Sequence, residues 1–296
     1  MNNISLYLGG GRWDVYCPYE FPMPEHIKEF LYLGNKSNTD FCVKVIVRSD
    51  IEINYNELKK IYCNEDWLVS YRDQENNYVL SFLSDEISCI SAIKILANFS
   101  EVEIYICEEK ISEHNISLFE TTPFLMGSMM ILLNNNGVVL HSSAMILNNQ
   151  GILFCGESGA GKTTISEIFS KSPSTVLTDE SVILRKINEK LYMYGSPWKG
   201  SGANFYKNAC HEVNYLYFIY HGKSNKLVDI NKNAQLKILL KQVFPFFWDR
   251  KYMLKSFAFI SRIPEYTICK RLYFKPNNSI VDFIYNKLER NNVTDN

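Results

Sequence analysis

The sequence predicts an α/β protein: a mixed-sheet α+β phosphate-loop domain over residues 120–296, preceded by a smaller α+β domain over residues 1–115. Three observations predict it. An apolar stretch at 152–155 runs into the loop Gly156-Glu157-Ser158-Gly159-Ala160-Gly161-Lys162-Thr163, and a segment at 163–170 follows with Ile165, Ile168 and Phe169 on one side, as a helix requires. Short β-branched and aromatic runs, separated by turn residues, fill the first 110 residues. With 296 residues, 46% hydrophobic and 21% charged, the chain can bury one large core or two modest ones.

From the N-terminus, Gly9-Gly10-Gly11 lacks the preceding strand and following helix of a phosphate loop and reads as a turn. Strands are expected at 41–47, 67–71, 78–82 and 102–107, with turns at 35–38 and 73–77. Ile87, Ile90, Ile93, Ile95 and Leu96 recur at near-helical spacing, so a helix is expected over 85–99. A boundary falls near 112–123. A short helix is expected over 124–133, a turn at 134–137, one strand over 138–147, and a hairpin return through Asn148-Asn149-Gln150-Gly151 into the strand that precedes the loop.

Eight cysteines stand at wide spacings with no C-x-x-C pair and no nearby histidine partner, so they are expected to be buried thiols rather than zinc ligands. The longest apolar runs fall short of the roughly 18 to 20 residues that span a bilayer. The first residues carry no basic region followed by an apolar core, and a cytoplasmic location is expected. Net charge is -1, but residues 181–296 hold 19 of the 31 basic and 8 of the 32 acidic residues, leaving 12 and 24 for residues 1–180. Such halves can attract each other within or between subunits. No basic cluster interleaved with aromatics marks a nucleic-acid partner.

The loop at 156–163 is a full match to G-x-x-x-x-G-K-[ST]. Its glycines let the backbone fold around a polyphosphate with N–H groups inward. Lys162 is placed to reach the terminal phosphates, and the Thr163 hydroxyl to join a Mg²⁺ shell, with Thr164 beside it. The apolar segment 175–177 then leads to Asp179 and Glu180; one is expected to hold Mg²⁺ and the other to accept a proton from a substrate hydroxyl. His26, His114, His211 and His221 have no such context and read as structural or surface groups.

The order Leu140-His141-Ser142-Ser143-Ala144, then a hairpin return, the loop and the acidic pair resembles the C-terminal catalytic domain of HPr kinase/phosphorylase and the related phosphoenolpyruvate carboxykinase fold. Gly195-Ser196-Pro197-Trp198-Lys199-Gly200 resembles the G-T-P-W-H-G segment of HPr-kinase-like proteins from ribosomal-peptide clusters, including lasso-peptide kinases. The tail segments Arg262-Ile263-Pro264-Glu265-Tyr266 and Leu272-Tyr273-Phe274-Lys275-Pro276-Asn277 are also similar, so the resemblance covers about 135–290. It implies a cytoplasmic, homo-oligomeric kinase using ATP and Mg²⁺ on a Ser or Thr hydroxyl of a peptide or protein, with no nucleic-acid or membrane partner. His141 and Lys199 would join Asp179 and Lys162 as catalytic candidates. The family's pair is Asp-Asp where this chain has Asp179-Glu180, and the E-x-R-G segment linked to phosphorolysis is missing, so no support remains for the reverse reaction. Phosphorylation of a small hydroxyl compound, or ATP sensing without transfer, stand as alternatives.

Overall fold

The computed structural model describes residues 2–34, 39–48, 54–64, 68–84, 88–107, 117–198, 205–244 and 246–294. The chain divides into two units, Met1–Asn135 with Phe246–Leu254, and Asn136–Pro245 with Lys255–Asn296. Both are built on large mixed sheets.

In the first unit β1 (Asn2–Leu8) and β2 (Gly11–Cys17) form a hairpin that pairs Leu8 with Gly11. Gly9 and Gly10 turn the chain at φ 56° and 76°, a region open to glycine, so this glycine run is a turn as expected. A single helical turn, α1 (Glu25–Lys28), precedes β3 (Phe41–Arg48), β4 (Lys59–Asn64), β5 (Leu68–Arg72), β6 (Tyr78–Ser84), β7 (Ser88–Ile95) and β8 (Glu101–Cys107). The strands lie in the order β1-β2-β3-β8-β7-β6-β5-β4, parallel only where β3 meets β2 and β8.

Residues 88–99 are not a helix, and 85–87 lie outside the described residues. Within them β7 pairs antiparallel with β6 and β8 in the middle of the sheet, and Ala92, Ile93 and Ile95 are buried. A strand covered on both faces loses its period of two, so its isoleucines fit helical spacing by accident while their β-branching favours the sheet. The expected helix does form as α2 (Thr122–Asn134), started by Thr121, whose hydroxyl accepts the Phe124 N–H. It packs on β7 and β8, and Gly127 permits the approach: a Cβ there would stand 3.1 Å from Val102 Cγ1. Thus α2, assigned by sequence to the second domain, belongs to the first unit, whose boundary follows Asn135. Residues 246–254 return to it through Asp249, which accepts the Tyr78 hydroxyl at 2.7 Å.

The second unit holds β9 (Gly137–His141), β10 (Ser143–Leu147), β11 (Gln150–Cys155), α3 (Lys162–Ser170), β12 (Ser174–Thr178), β13 (Ser181–Ile187), β14 (Lys190–Tyr194), β15 (Cys210–His221), β16 (Lys226–Val228), α4 (Lys232–Gln242), β17 (Ile268–Phe274) and α6 (Ser279–Thr294). The helix α5 (Arg250–Tyr266) starts in residues of the first unit and continues in the second. Strand order is β12-β10-β11-β15-β14-β13-β9, with β17 beside β15. β11, β15 and β17 run parallel, so their C-terminal ends share one edge, the edge from which the glycine-rich loop leaves.

The single strand expected over 138–147 is two. β9 pairs with β13, whereas β10 pairs with β11 and β12. The break is at buried Ser142, whose hydroxyl donates to the carbonyls of Ser143 (2.9 Å) and Phe154 (3.0 Å). The hairpin return forms as predicted, with Asn148 and Asn149 at positive φ. The cysteine expectation holds only in part: described cysteines are free thiols, but Cys63 and Cys210 are exposed. No helix among the described residues is long and apolar enough to cross a membrane.

Phe154, Phe169, Tyr217, Leu272, Phe274 and Ile284 join β11, α3, β15, β17 and α6 in one apolar core. Phe154→Ala is expected to lower unfolding free energy by about 3 to 5 kcal/mol, the usual cost of an aromatic-sized cavity; a denaturant titration followed by circular dichroism measures it.

Candidate functional site

The loop after β11 is shaped by its glycines. A Cβ on Gly156 would lie 2.7 Å from Ala160 Cβ and 2.8 Å from Ile219 Cγ1, so only glycine lets the chain turn this closely over β15. Gly159 and Gly161 take φ of 77° and 99°, and Gly161 is the N-terminal cap of α3. The Ala160 N–H donates to the Glu157 carbonyl at 3.0 Å, and the Ile165 N–H to Gly161 at 2.9 Å. First-turn N–H groups of a helix have no carbonyl within it to bond, and the helix dipole makes that end positive. Glu157, Ser158, Gly159 and Thr164 are exposed, and Thr163 is half-buried.

Lys162 is buried at 7% exposure, and its Nζ donates to the Gly156 carbonyl at 2.9 Å and the Glu157 carbonyl at 3.5 Å. Burial holds its pKa below the ordinary lysine value, with the nearby Glu180 carboxylate pulling the other way. Among the described residues no carboxylate stands within ion-pair distance of it. At the loop's rim, Lys241 pairs with Glu157 at 2.7 Å and holds that exposed carboxyl below its usual range.

The acidic pair sits where β12 ends. Thr178 Oγ1 accepts the N–H groups of Glu180 and Ser181, both at 3.2 Å, and this side-chain turn stops the strand before Asp179. The strict two-face alternation therefore does not separate the two acids. Asp179 is buried at 1% exposure, while Glu180 is half-buried. His141, at the end of β9, places Nδ1 3.2 Å from Glu180 Oε1. That contact is the main reason the Glu180 carboxyl titrates below its ordinary value, with Lys162 adding to it. The Ser142 N–H donates to the Glu180 carbonyl at 3.1 Å, and the Ser143 hydroxyl to the Lys162 carbonyl at 3.2 Å. The break between β9 and β10 thus ties the histidine strand to both loop and acidic pair.

Three contributors escape the sequence. Gln242, buried at the end of α4, donates to the carbonyls of Gly156 (2.9 Å) and His141 (3.2 Å) once its amide nitrogen faces them. Ser142 is the second. It also receives the Cys155 thiol at 3.4 Å, and burial pushes that thiol's pKa up to about 11, leaving it neutral. The third is His221, which the sequence reads as a structural or surface group; it is exposed as that reading allows, and its Nε2 lies 2.8 Å from the Gly159 carbonyl. Only the L-H-S-S-A string hinted at Ser142, and nothing local marks Gln242 or His221. His26 is buried 3.2 Å from Glu120, as a structural histidine, and His114 lies outside the described residues.

The segment after β14 reaches the same corner. The Ser196 hydroxyl donates to the Ser181 carbonyl at 2.6 Å, and the Lys207 N–H to the Leu177 carbonyl at 2.8 Å. Gly195 passes so close to the Lys207 carbonyl that a Cβ would collide with it. Trp198 is buried next in the chain, and Lys199 lies outside the described residues.

These residues fit a polyphosphate with Mg²⁺. A Cβ on Gly159 would meet nothing within 4 Å, so the loop opens to space on that side, and the buried ammonium of Lys162 faces carbonyl dipoles rather than a counter-ion. Among the described residues no three His, Cys, Asp or Glu side chains gather to hold a metal by themselves. Mg²⁺ commonly takes one or two protein ligands and fills its shell with phosphate oxygens and water, and Thr163 with one acid supplies that number.

No family model and no curated protein matches the sequence. Among solved structures, the Hpr(Ser) kinase/phosphatase from Coxiella burnetii is similar over 31% of this chain and 65% of its own, at 18% identity and a TM-score of 0.25. The match therefore spans less than two thirds of that protein's length.

The His141–Glu180 contact sets an acid dependence. The Glu180 pKa is lower when folded than its ordinary 4.5, so the contact stabilises above that value and the stabilisation is lost as pH falls through the folded value. Glu180→Gln is expected to melt below wild type at pH 7, with the gap narrowing as pH falls below the ordinary 4.5 and through the folded value; melting curves at several pH values check this.

Proposed function

We propose that the second unit is an ATP- and Mg²⁺-dependent kinase that phosphorylates a hydroxyl, namely Ser or Thr on a peptide or protein. The observation that carries this reading is the buried Lys162 ammonium, held by loop carbonyls beneath a helix N-terminus and two left-handed glycines. A buried charge whose nearby carboxylate, Glu180, stands beyond ion-pair distance is costly, and an anion at the loop offsets that cost.

When bound, Mg-ATP supplies the transferable phosphoryl group and the metal charge that neutralises it. The loop N–H groups and Lys162 bind the phosphates. Thr163 and Glu180 hold the metal, because His141 and Lys162 keep the Glu180 carboxyl ionised. Asp179, removed from bulk water, takes the proton of the substrate hydroxyl as its oxygen bonds to the terminal phosphorus and the bond to the bridging oxygen breaks. His141 orients Glu180 from β9. Most of the rate then comes from positioning and charge stabilisation. The segments at 195–198 and 205–207 are anchored beside this corner, which supports a role for them in meeting the acceptor.

Incubation with radiolabelled ATP and Ser- or Thr-containing peptides tests the reading. Lys162→Ala is expected to lower phosphate transfer roughly a hundredfold or more while the protein still folds, as circular dichroism checks. Transfer that survives this change would sink the kinase reading, and label found only on small hydroxyl compounds would move the acceptor class.

Asp179→Asn separates the two acids. As a base, Asp179 matters in the transition state, so kcat should fall about 10²- to 10⁴-fold while Mg-ATP affinity stays within about threefold. An equal loss of affinity in a nucleotide titration would make Asp179 the metal ligand instead.

A further inference from the structure

Both left-handed glycines of the loop are held by one aromatic pair. β15 and β17 run side by side, with His221 opposite Phe274 at their shared end. The two rings stack, 5.9 Å between centroids and 28° between planes. The His221 Nε2 is 2.8 Å from the Gly159 carbonyl; a carbonyl only accepts, so Nε2 carries the proton in this contact. Phe274 is fully buried, and its Cζ sits 2.7 Å from where a Cβ on Gly161 would stand, filling the space beside the cap of α3. The strand end is itself tied down, since the Gly222 N–H donates to the Phe274 carbonyl at 2.9 Å and the Lys275 N–H to Asn225 Oδ1 at 2.9 Å.

We infer that His221 is a positioning residue for polyphosphate binding, acting through the Gly159 carbonyl to hold the loop in its anion-receiving shape. This rests on the nucleotide reading of the loop given above. Glycine loses more backbone freedom on ordering than any other residue, and Gly159 is exposed with open space where a side chain would pack. A loop ordered before the ligand arrives does not charge that ordering against affinity. The contact is with the loop and not with a base or sugar, so the ligand it favours is the phosphate chain itself. Inorganic tripolyphosphate and Mg-ATP should therefore feel it alike.

The full-length protein, His221→Ala and His221→Gln are compared in two measurements. Calorimetric titration with inorganic tripolyphosphate and with Mg-ATP gives affinity, and hydrogen exchange of residues 157–161 without ligand gives loop order. His221→Ala should weaken both ligands about tenfold and speed exchange by a similar factor, the worth of one hydrogen bond. Glutamine can donate to the same carbonyl and should restore both within about threefold. Unchanged affinity or unchanged exchange in His221→Ala overturns the inference, as does a loss confined to Mg-ATP, which would mean a contact with the nucleoside. A wild-type protein that binds neither ligand overturns the nucleotide reading and this role with it, and is recognised by the wild-type titration alone.

Discussion

The second unit depends on keeping one ammonium group out of water. Lys162 reaches back over the loop to the Gly156 carbonyl, and that reach requires Gly156 to lie flush against Ala160 and Ile219 and the chain to pass through two left-handed glycines. A side chain at Gly156 would push the carbonyl away from the charge it receives. The apolar core from Phe154 to Ile284 fixes β11 and α3 on either side of the loop, so core packing holds the charge in place.

The surroundings bring polar groups to the loop and the acidic pair from distant parts of the chain. His141 arrives on β9, Glu180 at the turn after β12, Gln242 at the end of α4 and His221 at the end of β15. Parallel pairing of β11, β15 and β17 accounts for His221, because parallel strands end on one edge and the loop leaves β11 at that edge. The break at Ser142 serves the same end. Its hydroxyl satisfies backbone carbonyls where the ladder is interrupted, which lets one run of sequence supply a strand to each part of the sheet.

The first unit shows the opposite emphasis. Its eight-stranded sheet buries Ala92 on one face of β7 and Ile93 and Ile95 on the other and receives α2 at a glycine, and polar side chains close its turns. Asp73, for example, accepts the backbone N–H groups of Glu75 and Asn77 and the Asn77 amide, closing the turn between β5 and β6.

What could be read from the sequence alone was local. The loop, its flanking strand and helix, the acidic pair, the Asn-Asn hairpin and the Gly9-Gly10 turn depend on backbone conformations that only certain residues allow, and those residues are neighbours in the chain. Tertiary structure decided the rest. Isoleucines at 90, 93 and 95 suit helix or strand, and only pairing with β6 and β8 chose. The run at 138–147 became two strands because its halves found different partners. His221 and Gln242 lie some 60 to 80 residues beyond the loop they touch, and hydrogen bonds across such separations leave no local pattern, since the fold alone brings the groups within reach.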